Sequence, residues 1–166
     1  MKQVIIMIGV SGSGKSTKAR EYCSEYPALS SVICSADDFF LDNEGNYNFD
    51  ASKLGRAHDA CFKKFQDALK NDIDVIVVDN TNLLVSSIRP YVEAANAYGD
   101  CQIKFSFHRC PANVAAQRNA HRVPLKTIEK MVDRYNTLLE NFPEEWMTFR
   151  YGLSFFDENG EREWAI

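Results

Sequence analysis

A chain of 166 residues, 45% hydrophobic and 25% charged, carries enough apolar material to build a core without disulfides or metals and has the composition of an ordinary globular protein. Its net charge of −4 argues against indiscriminate nucleic-acid binding over the whole surface, and its longest apolar runs fall well short of the roughly 20 residues that span a bilayer. The five cysteines, Cys23, Cys34, Cys61, Cys101 and Cys110, include no C-x-x-C pair, which sets aside a zinc site or a disulfide framework. The first apolar run reads as a strand and not as a secretory leader, so the expectation is a soluble, intracellular chain, cytoplasmic or nuclear.

Residues 2–8 form a continuous apolar strand, the pattern of a parallel strand covered on both faces. Directly after it, Gly9-Val10-Ser11-Gly12-Ser13-Gly14-Lys15-Ser16-Thr17 fits G-x-x-x-x-G-K-[ST]. Such a loop gathers backbone N–H groups into one concavity at the positive end of the next helix, and so holds phosphate. Gly9, Ser11, Gly12, Ser13, Gly14, Lys15, Ser16 and Thr17 are therefore the candidate nucleotide contacts. Lys15 is expected to reach the β- and γ-phosphates, and the Ser16 hydroxyl to ligate Mg²⁺.

The following helix should end before Pro27. A short strand spans 31–35, and 41–50, rich in Asn, Gly and Asp, is a surface loop. Helical periodicity covers 51–70, with Asp50 or Ser52 as its cap. A third strand runs over 72–79, a helix over 86–98 stops at Gly99, and a fourth strand covers 101–108. Residues 112–121 and 125–139 are predicted helices separated by Val123-Pro124. The last stretch resembles a hairpin with its turn at Asn159-Gly160. Strands alternating with helices predict an α/β fold of the P-loop NTPase kind. Its open, mainly parallel sheet would have four to five strands, helices on both faces and a helical lid. Residues 1–166 read as one domain, with 141–166 a C-terminal extension that could form an edge hairpin, contact a second copy or complete the adenine pocket.

Ligands of such sheets lie at the carboxyl ends of the strands. There the sequence puts Asp37 and Asp38 after the second strand and Asp79, Asn80 and Asn82 after the third. Asp79 has the position of a carboxylate that holds Mg²⁺, whereas Asn80 and Asn82 could be acceptor contacts or turn formers. Asp37 is the candidate general base, because phosphorylation of a hydroxyl benefits from a carboxylate that accepts its proton. Arg118 and Arg122, four residues apart on one expected helix, would share a face and clamp the γ-phosphate from the lid. His58 and His108 read as structural, and His121 could approach the acceptor phosphate.

These residues resemble the P-loop kinase domain of bacteriophage polynucleotide 5′-hydroxyl kinase and, more closely, the related domain of Nedd-binding proteins. The resemblance rests on Gly9 to Thr17, Ser35-Ala36-Asp37-Asp38-Phe39-Phe40, Gly45-Asn46-Tyr47-Asn48-Phe49, Asp79-Asn80-Thr81-Asn82-Leu83, Gln117-Arg118-Asn119 with Arg122, and Val123-Pro124. It covers residues 1–138 and implies transfer of the ATP γ-phosphate to a 5′-hydroxyl of DNA or RNA. Asp37 would be the base, with Lys15, Arg118 and Arg122 as catalytic partners and Mg²⁺ at Ser16 and Asp79. Two departures fall on the acceptor side. Phe40 stands where the phage enzyme has arginine, and Asn80 directly precedes Thr-Asn where that enzyme has aspartate. Phe39 and Phe40 could stack on a base or be core residues. Asp38, Phe40, Asn80 and Asn82 are thus the candidate acceptor contacts. A small-molecule or nucleoside kinase, or a nucleotide-binding module without turnover, are the alternative readings.

Overall fold

The computed structural model describes residues 1–165. The apolar run after Met1 is strand β1 (Lys2–Gly9), and the P-loop leads into helix α1 (Lys15–Glu25). Strand β2 (Ser31–Cys34) runs into a single 3₁₀ segment (Ala36–Phe40). Asp50 caps the next 3₁₀ turn (Ala51–Lys53) by accepting from Ser52 N, and helix α2 (Leu54–Lys70) continues from it. Then come β3 (Val75–Val78), α3 (Val85–Tyr98), β4 (Cys101–His108), α4 (Ala112–Arg118) and α5 (Leu125–Glu140). After a 3₁₀ turn (Glu144–Trp146), β5 (Tyr151–Phe156) and β6 (Arg162–Ala165) close the described chain.

The sheet order is β2-β3-β1-β4-β5-β6, with every pairing parallel except β5 with β6. The expected hairpin is present, with Gly160 at positive φ in its turn, although Ile166 lies outside the described residues. It adds two strands to the sheet, which therefore has six and not four to five. Alternation explains the gain. Tyr151 and Leu153 point into the main core, where the Phe105 ring stacks on Trp146 at 5.4 Å and meets Tyr151 at 5.9 Å.

Val4, Ile6 and Ile8 face the large core under α2 and α3, while Ile5 and Met7 face Ala19, Tyr22 and Cys23 of α1. Burial on both faces is what the unbroken apolar strand demanded. A third cluster of Val10, Cys110, Ala115 and Ile128 seats α4 and α5 beside the P-loop. None of the helices among the described residues is long and apolar enough to cross a membrane.

The expected helix over 112–121 ends at Arg118. Asn119 leaves the helix with extended φ and ψ, and its side chain closes a loop: Oδ1 accepts from Val123 N at 2.7 Å and Nδ2 donates to Val123 O at 3.3 Å. Arg122 lies in that loop at φ 54°, so it is not one turn from Arg118 on a shared helix face.

Candidate nucleotide and phosphoryl-transfer site

The P-loop crosses the carboxyl edge of the sheet between β1 and α1. Gly12 has φ 84°, a conformation that side-chain-bearing residues rarely adopt, and a Cβ there would lie 2.2 Å from Ala115 O. The loop therefore packs directly on α4. A helix starting at Lys15 leaves its first N–H groups without intrahelical partners, and these converge on the concavity. Buried Ser13 Oγ also has no hydrogen-bond partner among the described residues.

Two cavities meet at this loop. One, of about 570 Å³, is walled by residues 12–18, Arg118, His121 and the β5–β6 turn at 158–160. The other, of about 80 Å³, is polar and brings Lys15, Ser16, Asp37, Asp79, Asn80 and His121 around one small space. The larger is of nucleotide size and the smaller of phosphate and hydroxyl size. Ser11 and Gly12 also border the smaller cavity. Gly9 sits beneath the loop, where an added Cβ would meet His108 O at 2.8 Å.

Lys15 is buried and donates to Val10 O at 2.7 Å. Burial lowers its pKa, with the charges of Asp79 and Asp37 opposing. Asp79, 9% exposed, accepts from Ser16 Oγ at 2.7 Å. Burial raises its carboxyl above the usual range, against the pull of Lys15 and the Ser16 hydrogen bond. A hydroxyl and a carboxylate side by side form an all-oxygen donor pair, the kind that suits Mg²⁺ held jointly with phosphate oxygens and water.

Asp37 is exposed on the 3₁₀ segment, whose start is capped by Ser35 Oγ accepting from Asp37 N. Its Oδ1 accepts from Tyr47 Oη at 3.1 Å, and its Oδ2 lies 3.4 Å from His121 Nε2. Asp38 instead turns to α2, with Oδ2 3.6 Å from Lys64 Nζ.

Phe40 is 5% exposed, its ring 5.1 Å from Phe49 and 6.0 Å from Tyr47. The expected acceptor contact at Phe40 thus gives way to a core position, because the 3₁₀ turn points Phe40 inward and leaves Phe39 outside. Asn82, 4% exposed at φ 49°, donates to Met7 O at 2.7 Å and secures the turn after β3. Asn80 accepts from Ala36 N at 2.8 Å and donates to Cys61 Sγ at 3.4 Å, tying the ends of β2 and β3 together beneath the smaller cavity.

Arg118 lines the larger cavity and donates to Glu158 O of the β5–β6 turn. Arg122 is exposed and lines neither cavity. Tyr47 sits in the loop the sequence predicts and the 158–160 turn in the expected hairpin, but the sequence does not tie the first to Asp37 or the second to Arg118. Chain order cannot reveal either, since Tyr47 meets Asp37 through a loop fold and the turn meets Arg118 through the sheet. His108 is buried behind the P-loop, 2.9 Å from Ser106 Oγ, and burial lowers its pKa to about 3.

A family model described as an AAA domain matches residues 4–140. Human NEDD4-binding protein 2 is 33% identical over 136 residues, which cover 80% of this chain but 8% of that protein. A chain in the structure of a Pnkp1/Rnl/Hen1 complex is 27% identical at TM-score 0.56, covering 70% of this chain and 38% of that one. The structure of AvrRxo1-ORF1:AvrRxo1-ORF2 with ATP matches at TM-score 0.70 and 14% identity over 98% of this chain and 57% of that one, a likeness of fold alone. The described chain thus spans a small part of its human relative. The order of strand, phosphate loop and helix agrees with these matches, and the chain belongs to the AAA domain family as a P-loop, kinase-like nucleotide-binding domain.

Proposed function

We propose that the chain is an ATP-dependent phosphotransferase that moves the γ-phosphate of ATP to a 5′-hydroxyl of DNA or RNA. The observation that carries this reading is Asp37 facing Lys15, Ser16 and Asp79 around one small polar cavity. A P-loop that only bound nucleotide would not need an exposed carboxylate opposite its phosphate end.

In this reading the P-loop N–H groups and Lys15 hold the β- and γ-phosphates. Ser16 and Asp79 would hold Mg²⁺, which when bound neutralises phosphate charge. Asp37 accepts the proton of the acceptor hydroxyl as its oxygen attacks phosphorus. The O–P bond to the acceptor forms, the bond to ADP breaks, and its electron pair leaves on the ADP oxygen. Arg118, on the nucleotide wall, steadies the triphosphate. Arg122 can join only if the 119–123 loop moves, so its clamp role is the more demanding half of the lid assignment. The 27% identity to a chain of a Pnkp1 complex and the 33% identity to NEDD4-binding protein 2 support the kinase-like half of this reading.

The test is incubation with γ-labelled ATP and 5′-hydroxyl oligonucleotides of DNA and of RNA. Label at the 5′ end is expected, and its absence from every oligonucleotide would sink the reading. Net charge of −4, with Asp38, Asp42 and Glu44 near the acceptor side, favours a second reading in which the hydroxyl belongs to a small molecule or nucleoside. Label in such compounds instead of oligonucleotides would select it.

A further inference from the structure

Asp37 is gripped from two sides by residues to which neither the motif nor the P-loop chemistry assigns a part. Tyr47 donates to Oδ1 at 3.1 Å, His121 Nε2 stands 3.4 Å from Oδ2, and the two rings pack on each other with centroids 4.0 Å apart at 33°. We propose that Tyr47 and His121 are positioning residues that fix the rotation of the Asp37 carboxylate and join the acceptor-side loop to the lid loop above it. This rests on the reading of Asp37 as the base.

Both partners are themselves held. The loop carrying Tyr47 is folded around Asp42, whose Oδ1 accepts from Glu44 N at 2.9 Å and Asn46 N at 2.8 Å. Leu41 bridges Tyr47, Asn48 N donates to Phe40 O at 2.8 Å, and the Tyr47 ring lies 6.4 Å from Phe49 in a stacked orientation. On the other side, Asn119 closes the loop that presents His121.

The chemistry follows from lone pairs. A carboxylate has about four acceptor sites, two on each oxygen. The Tyr47 hydrogen bond to Oδ1 and the His121 ring nitrogen beside Oδ2 limit rotation about the Cβ–Cγ bond while leaving lone pairs free for the acceptor proton. Tyr47 suits the task because burial and the Asp37 charge raise its pKa, so that it remains a donor. A base that cannot rotate is held ready for attack, and misplacement of a catalytic group by about 1 Å can cost on the order of 100-fold in rate. Tyr47 lines neither cavity, so the effect of its hydroxyl belongs to turnover, whereas His121 also borders the larger cavity and its loss reaches nucleotide binding as well.

The experiment uses Tyr47→Phe, which keeps the stacked ring but removes the hydroxyl, and His121→Phe, which keeps a ring but removes the nitrogens. Each should lower kcat for label transfer roughly 10- to 100-fold, and Tyr47→Phe, at a residue that lines neither cavity, should leave ATP affinity unchanged. His121→Gln, which keeps a polar nitrogen beside Oδ2, should recover most of the loss. In an Asp37→Asn background Tyr47→Phe should add nothing, a non-additivity that a general loss of stability would not produce. In parallel, the ring protons of His121 should be displaced by the Tyr47 ring current in NMR spectra and return to ordinary positions in Tyr47→Leu.

A wild type that labels its acceptor while Tyr47→Phe keeps full kcat would overturn the positioning role alone, as would additive losses with Asp37→Asn. Identical His121 shifts in wild type and Tyr47→Leu would overturn the joined-loop arrangement whatever the activity. A wild type that labels no acceptor of any class would remove the kinase reading, and the positioning assignment would fall with it.

Discussion

The two halves of the cleft are built in different ways. On the phosphate side, one contiguous stretch from Gly9 to Thr17 makes the loop, and its chemistry is mostly backbone N–H groups and one buried lysine. On the side proposed for the acceptor, Asp37, Tyr47 and His121 come from three separate segments and meet through side chains. A site made of backbone tolerates little change in its glycines. A site assembled from loop side chains can be retuned for a new hydroxyl while the phosphate half stays fixed.

This contrast breaks first at Lys15. Lys15→Ala removes a charge-assisted contact of about 1.5–3 kcal/mol, so ATP affinity measured by calorimetry should fall roughly 10- to 150-fold. Unchanged affinity would mean that the phosphates lie elsewhere.

A pair of glycines sharpens the same comparison. Gly12 and Gly45 have nearly equal φ, 84° and 83°, but a Cβ on Gly12 meets Ala115 O at 2.2 Å whereas one on Gly45 meets nothing within 4 Å. Gly45→Ala should cost about 1 kcal/mol of stability from backbone strain alone, and Gly12→Ala about 3 kcal/mol, with loss of ATP binding. Urea midpoints for the two variants test this, and equal costs would show that the P-loop is not packed on α4.

A pH-dependent effect concerns the support behind the phosphate loop. His108 has its pKa lowered from 6.5 to about 3 by burial. The unfolded chain therefore binds a proton that the folded one refuses. The contribution is fully present above pH 6.5 and is lost as pH falls toward 3. Between pH 7 and 5 it amounts to about 2 kcal/mol. His108→Gln should have a flatter stability profile over that interval, and a parallel profile would argue that His108 is solvated.

The phosphate half was readable because its signals are local. An apolar strand, a spaced set of glycines and a lysine lie within sixteen residues, and β1, α1 and β4 fall where periodicity puts them. Beyond that stretch the sequence marks cleft residues only where they follow a strand, as at Asp37 and Asp79, both of which line the smaller cavity. Arg122 was misplaced because Asn119 ends α4 with its own side-chain hydrogen bonds, a choice that helical periodicity does not register. Phe40 and Phe39 look alike in sequence, and only the 3₁₀ turn decides which one is buried. The last two strands were harder to foresee as sheet members, since β5 joins the sheet through β4, more than forty residues earlier, and β6 joins only through β5.

In the proposed function one cleft contains both a nucleotide side and a separate proton acceptor. Asp37→Asn tests it most directly, with ATP affinity and single-turnover transfer of γ-label measured on the same preparation. ATP binding should stay within about twofold of wild type while transfer falls by roughly 100- to 10,000-fold. Transfer at the wild-type rate, or a fall in ATP binding that matches the fall in transfer, would contradict it.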